Sequence, residues 1–369
     1  MTKTMTKRQF AACMTLSLLS PLIRVLPGAA VRMGGRACWL SAVPAFGIIL
    51  LFALFTLSFL RKTDGGMGDL FLRCLGPAAG RAALVLYGAA FLLYTGFLLR
   101  VGADRFITTV YPDSGPTVFY TVMLLLCLMA AMGRLRALGR TAVILLALML
   151  AVLALAFVSS FQNLDAANLL PLRAQDLPGI LLGAMPMVNV GSFFACLTFL
   201  FRYTDDRERR LGPYMPSFGV LGLLCFLLCL TVVGSFGPAL TKRMSFSFFI
   251  LVRDLSILNL GSRIAAFIVA LWVFSDFCLG TLLLRGCFEA LRLCFSLPEP
   301  EAAPFFSLRG GRWLLPAEAA CVWFSARFIA RSTFDLQHWS DTIIPLLYAG
   351  LILAGLPLVW LIGRLRKRI

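Results

Sequence analysis

The sequence predicts an all-α polytopic membrane protein of about ten transmembrane helices, and three observations predict it. Hydrophobic residues make up 60% of the 369 positions and the mean hydropathy is +0.89, more apolar surface than a soluble domain can hide. Successive windows approach or exceed the ~20 apolar residues that cross a hydrocarbon core. Lysine and arginine, which give a net charge of +17, gather in short clusters between those windows, as membrane topology requires. A single integral membrane domain over residues 1–369 is expected.

The first span is expected at Phe10–Leu26, interrupted near Pro21 and Pro27, and the second at Cys38–Leu60. A glycine-rich link, Arg61–Gly80, carries the amphipathic piece GDLFLRCL, which suits the membrane surface. The third span is Arg81 to about Val101, the fourth Thr117–Met132 and the fifth Thr141 to about Phe161. The sixth, from about Pro178 to Phe201, is interrupted by MPMVNVGS at 185–192, and the seventh is Tyr214–Phe236. Ser245–Leu260 is only moderately apolar and carries Arg253 and Asp254, which suits an external helix lying on the bundle. The eighth span is Arg263 to about Arg285, extending towards Phe295; the ninth is Trp313–Ile329 and the tenth Thr342–Ile362.

The basic start MTKTMTKR followed by an apolar run resembles a secretory signal. Its length, Arg24 and the span that follows favour a retained first helix. With the N-terminus inside, most of the 34 Lys and Arg residues fall on inner segments. The expected topology is therefore N-terminus and C-terminus cytoplasmic, with an even number of spans.

Composition also excludes function classes. The basic residues form no single stripe, so nucleic acid is not an expected partner. Six of the eleven cysteines, at 127, 196, 225, 229, 278 and 287, lie inside apolar windows, where cysteine acts as a small hydrophobe. With no CxxC spacing and His338 the only histidine, neither a metal centre nor a disulfide framework is expected. No phosphate loop and no nucleophile–base arrangement points to an enzyme or to a cofactor.

The two interrupted spans correspond. Pro21-Leu22-Ile23-Arg24-Val25 and Pro186-Met187-Val188-Asn189-Val190 both read proline, unbranched apolar, β-branched, polar, valine. Each opens one five-helix half of the chain, about 9–161 and 178–363. Interrupted helices at corresponding positions are the best sequence pointer to an inverted-repeat transporter with a site at the membrane midplane. Ordinary proline kinks are the alternative. The candidate ligand-binding residues are Pro21, Leu22, Ile23 and Arg24 from the first break, and Pro186, Asn189, Gly191 and Ser192 from the sixth span. Exposed amides and half-helix N-termini there would favour an anionic ligand group such as an amino-acid carboxylate.

Arg24 falls roughly 20 Å into its segment at ~1.5 Å per residue, where an arginine needs an interior cavity or a partner. A ligand carboxylate or Asp276 could serve, and a structural ion pair is the alternative. Asp276, in LWVFSDFCLG, reads as the acid well inside an apolar span, hence a proton carrier, a partner for a ligand amine or a counter-ion. Tyr87, Tyr94 and Arg100 share one face of the third span, with Tyr94 taken as a site candidate and aromatic core packing as the alternative.

Several stretches carry a resemblance to the B subunits of spore-germination nutrient receptors, the spore permease family of the amino-acid/polyamine/organocation transporter superfamily. SPLIRVLPGAAVRMGGRACWLSAVPA is similar to the family's first broken helix and the start of its second span. Asn168–Pro171 followed by Pro178–Ala184 resembles its entry to the sixth span, and FILVRDLSILNLGSR, ending at Arg263, resembles its external segment. Trp272 and Phe277 match the eighth span, and Gly133–Arg140 loosely fits the link before the fifth. The chain departs from the pattern at Gly261-Ser262, where the family carries an acid before the arginine, and at Arg24. The resemblance implies a LeuT-like 5+5 inverted repeat and assembly with an A-type membrane subunit and a C-type lipoprotein in the spore inner membrane. It implies binding of a small germinant such as an amino acid, with no covalent chemistry. A proton- or sodium-coupled amino-acid permease is the alternative function.

Overall fold

The computed structural model describes residues 4–109, 115–244, 246–254, 261–297, 313–330 and 332–368, without the side chains of 108–109, 253–254, 261–271 and 333. Among the described residues ten helices follow the expected order, seven of them long and apolar enough to cross a membrane: α1 Lys7–Gly34, α2 Ala42–Leu60, α3 Pro77–Thr109, α4 Pro116–Met132, α5 Leu135–Ser160, α6 Leu177–Ser192, α7 Met215–Thr241, α8 Gly261–Cys294, α9 Leu314–Phe328 and α10 Phe334–Leu365. A short surface helix, Met67–Leu75, joins α2 to α3 as its amphipathic pattern predicts. The external segment is helical over Ser247–Asp254; the rest of that expectation, 255–260, lies outside the described residues.

Burial orders the bundle around α1. Of its most apolar stretch 89% is buried, against 28% for α5 and α10, so α1 is the central helix and α5 and α10 are peripheral. α1 packs on α5, α6, α7 and α8, and α2 packs on α6 and α7. A second apolar cluster joins α3, α4, α8 and α9 through Leu99, Tyr120, Cys127, Phe288, Leu315 and Val322. Exposed Leu51 and Leu54 on α2, Val122 and Leu125 on α4, and Ile144 and Leu155 on α5 present the apolar outer face that a bilayer requires.

α1 and α6 cross at small residues. Ala30 and Gly34 on α1 meet Gly179 and Gly183 on α6, each pair four residues apart. A Cβ on Gly34 would stand 3.1 Å from the Gly179 carbonyl oxygen, and one on Gly183 only 2.6 Å from Ser41 Oγ and 3.3 Å from Gly34 Cα. Small residues at i and i+4 are what allow membrane helices to approach backbone to backbone.

The interruptions take a different form from the one expected. α1 runs as an α-helix from Lys7 to Gly34 through both Pro21 and Pro27, so the backbone does not unwind at Pro21–Val25. Its hydrogen-bond ladder opens one turn earlier. The Ser20 N–H donates to Ser275 Oγ at 2.9 Å, and Ser275 donates onward to the Leu16 carbonyl at 2.6 Å. A hydroxyl from α8 is thus inserted between groups that would otherwise bond to each other. Insertion of a side chain into the ladder is one of the few causes of helix distortion, and it keeps every polar group satisfied. In α6, Pro186 also sits inside regular helix. The irregularity comes after Ser192, where a short α-turn, Phe194–Leu197, gives way to a 3₁₀ stretch, Thr198–Tyr203.

α10 is loosened twice, into π-helical turns at Trp339–Ile343 and Ala349–Ala354. Such turns free carbonyl groups and are common at functional sites. Here Asn189 Nδ2 donates to the Pro345 carbonyl at 3.2 Å and the Tyr87 hydroxyl donates to that of Leu351.

Candidate functional site

A cavity of about 400 Å³ lies over the C-terminal half of α1, enclosed by α3, α6 and α10. α1 contributes Leu18, Pro21, Arg24 and Val25, α6 contributes Met185, Pro186, Asn189 and Phe193, and α3 contributes Tyr94 and Phe97. α10 closes the remaining side with residues of its first π-turn and of Ile344–Tyr348. The volume falls in the range of small-molecule pockets, and the walls are mostly apolar with a few polar groups, as such pockets are.

The apolar end is a triangle of rings. Tyr94, Phe193 and Tyr348 stand 4.9 Å apart by ring centroid in all three pairings. The Tyr348 hydroxyl donates to the Ala90 carbonyl at 2.8 Å, which fixes that ring against α3. At the surface end Arg32 Nη2 meets Asp341 Oδ1 at 2.7 Å, both side chains about a third exposed (35% and 31%). This pair joins α1 to α10 across the cavity mouth.

The ten candidate residues divide between this cavity and the packing around it. Pro21, Arg24, Tyr94, Pro186 and Asn189 line the cavity. Leu22 and Ile23 point away from it and are 1% and 2% exposed. Gly191 faces α2, where a Cβ would come within 2.4 Å of Ile49 Cδ1. Ser192 is buried and its hydroxyl donates to the Asn189 carbonyl at 3.0 Å. Asp276 lines a separate apolar cavity of about 300 Å³ between α3, α4 and α8.

The partner of Asp276 is not Arg24. Arg105 on α3 approaches it at 3.6 Å, lies 4.7 Å over the Trp272 ring and reaches Ser20 Oγ at 3.4 Å. Asp276 therefore belongs with Ser275 to a joint that ties α8 and α3 to the opened turn of α1. Sequence reading missed Arg105, although it sits in the same long third helix as Tyr94. It also missed Glu318 on α9, which is 3% exposed. An acid amid the apolar residues of LLPAEAACVWF was the available signal. Of the other third-span residues, Tyr87 is tied to α10 and Arg100 pairs with Asp104 at 3.7 Å.

Arg24 lies 5.2 Å over the Phe97 ring. Its Nε and Nη1 are buried without a hydrogen-bond partner, and so is Asn189 Oδ1. Two residues that line one cavity thus carry unmet polar atoms of opposite character.

The opposite end of α1 is closed. Met5 and Asp205 exchange backbone bonds with Tyr203 and Met5 at 2.8 and 3.0 Å, and Lys7 Nζ meets Asp206 at 3.1 Å. Tyr214 donates to Asp206 Oδ2 at 2.8 Å, and Arg202 meets Asp69 at 2.6 Å. Arg209, in the left-handed region at φ 50°, donates to the carbonyls of Leu60, Thr63 and Gly65. Phe10 packs edge-on against Phe201 at 4.9 Å beneath this layer.

The architecture is the LeuT-like 5+5 fold of membrane transporters, and solved structures of that fold align over nearly the whole chain. MhsT in complex with L-phenylalanine aligns with 96% of this chain and 98% of its own, with a TM-score of 0.54 and 16% identity. A Na⁺-coupled sialic acid symporter, in a substrate-bound outward-open state, aligns with 94% and 77%, with a TM-score of 0.61 and 13% identity. No curated protein sequence matches the chain. Residues 4–310 match the spore germination protein family, the spore permeases. The chain belongs to that family: an integral, multi-pass membrane protein of a transporter family and not an enzyme.

Proposed function

We propose that this protein is the B-type subunit of a spore germinant receptor, which binds a small germinant such as an amino acid in the α1–α6–α10 cavity. It signals to A-type and C-type partner subunits in the spore inner membrane. One observation carries the reading: in a chain of the spore germination family, α1 and α6 bring unmet polar groups, Arg24 and Asn189, to one apolar cavity of about 400 Å³. With both termini cytoplasmic, the sealed layer of Met5, Lys7, Arg202, Asp206 and Arg209 faces inwards and the Arg32–Asp341 mouth faces outwards. A germinant arriving from outside meets the mouth first. The two halves, about 9–161 and 178–363, form the inverted repeats, and occupancy shifts the balance between their arrangements.

Spores carrying Asn189→Leu should need a higher concentration of the triggering compound, measured as a dose-response across a panel of L-amino acids. An unchanged dose-response with normally assembled receptor would reject the site. The second reading, a coupled amino-acid permease, draws support from structural neighbours that are a complex with L-phenylalanine and a Na⁺-coupled symporter. Uptake of labelled amino acids into proteoliposomes separates the two: gradient-driven accumulation favours the permease, binding without accumulation the sensor.

A further inference from the structure

The charges around α1 are matched in pairs until Arg24 is reached. Arg32 is held by Asp341 at 2.7 Å, Arg100 by Asp104 at 3.7 Å and Arg105 by Asp276 at 3.6 Å. Each acid near Arg24 is thereby already engaged. Arg24 makes no ion pair among the described residues. Its one close contact of note is the Phe97 ring at 5.2 Å, while Nε and Nη1 stay buried and unmet. Burying a charge without a partner is among the largest penalties a fold can carry.

The backbone offers no substitute for this cation. α1 is α-helical from Lys7 to Gly34, and α6 is helical through the residues that line the cavity, so neither helix begins there. The Ser20 N–H, freed where the α1 ladder opens, is taken by Ser275. Positive potential in the cavity comes from a guanidinium and not from exposed amides. Opposite in character, Asn189 Oδ1 is buried and unmet while its Nδ2 is spent on Pro345. The rest of the wall is apolar, closed by the ring triangle Tyr94, Phe193 and Tyr348.

Resting on the reading of this cavity as the site of an amino-acid germinant, we infer that Arg24, and not the backbone amides of a broken helix, binds the ligand's carboxylate. The planar guanidinium matches a carboxylate with parallel hydrogen bonds. The ammonium donates to Asn189 Oδ1, and the side chain lies on the ring triangle. Among the described lining residues, Asp341 and Arg32 neutralise each other, which leaves no second charge for an acidic or basic side chain.

Binding of L-phenylalanine, L-leucine and their carboxamides to the purified full-length protein in nanodiscs tests this. The free acids should bind, and the carboxamides, which lack the carboxylate, should bind roughly 10–100-fold more weakly, as expected for loss of a charge-assisted pair. Arg24→Gln should erase the difference between acid and amide, and Arg24→Lys should restore part of it. Equal binding of acid and amide to the unaltered protein overturns the assignment without any variant. Equal affinity of the acids for unaltered and Arg24→Gln protein also overturns it, while leaving the cavity as the site. If no probe binds, this inference and the reading beneath it fall together.

Discussion

At the scale of single residues, membrane burial makes pairing the governing rule. Arg105 and Asp276 have side chains 4% and 5% exposed and hold each other between α3 and α8. Removing one partner leaves the other as a buried, unmatched charge, which typically costs about 3–5 kcal/mol, whereas replacing both with apolar groups of similar volume is often neutral. Arg105→Met should therefore lower the thermal stability of the purified protein sharply, and Arg105→Met combined with Asp276→Leu should recover most of it. A double variant no more stable than the single would show that the pair does more than match charge. Ser275 acts through geometry. Its hydroxyl stands between Ser20 N and Leu16 O, and in Ser275→Ala those two groups are free to bond directly. The expected stability change is small, within about 1 kcal/mol for an exchanged hydrogen bond. The amide of Ser20 should gain hydrogen-exchange protection as the turn closes.

At the scale of elements, the position of α1 against α6 decides the shape of the cavity, and that position depends on absent side chains. Gly183 lies where a Cβ would meet Ser41 Oγ and the backbone of α1. Gly183→Leu should separate the helices and destabilise the protein by about 1–3 kcal/mol or more, as overpacking does; a normal melting temperature would refute the close approach. α10 contributes differently. Asp341 and Tyr348, seven residues apart and so on one face, both line the cavity, while Asn189 and Tyr87 take up the carbonyls of Pro345 and Leu351 beside the π-turns.

At the scale of the whole molecule, the two ends of α1 are unlike. The C-terminal half borders a cavity that reaches the surface at the Arg32–Asp341 pair, while the N-terminal half is sealed by Lys7–Asp206, Arg202–Asp69 and the carbonyl bonds of Arg209. Opening at the sealed end has to break that layer before it separates Phe10 from Phe201. Asp206 holds both Lys7 and Tyr214, so Asp206→Asn should raise the population of an arrangement open at that end. Cys13, one to two turns into α1 and 1% exposed, reports on it. Its labelling by a membrane-impermeant maleimide, followed by peptide mass spectrometry, should increase in the variant. Unchanged labelling would mean that Asp206 does not hold the end closed.

Much of this was legible in the sequence because the bilayer enforces a simple code. Apolar windows of sufficient length had to be helices; among the described residues ten helices follow the expected order and seven of them are long and apolar enough to cross a membrane. The proline-bearing stretches at 21–25 and 186–190 are brought together by the fold, with Pro21, Arg24, Pro186 and Asn189 lining a single cavity. What the prolines do to the backbone was not legible. Whether a membrane helix unwinds depends on which groups arrive to satisfy its freed amides and carbonyls, and the group that arrives at α1 is Ser275, more than 250 residues away in the chain (|i−j| = 255 from Ser20). The same holds for charge. Composition marks Arg24 and Asp276 as costly, but only the packing of α3 against α8 decides that Asp276 goes to Arg105. Local physics, hydropathy and proline stereochemistry, determined the helices and which stretches border the cavity. Long-range contact, which no local pattern encodes, decided which polar groups were consumed by the fold and which, like those of Arg24 and Asn189, were left unmet.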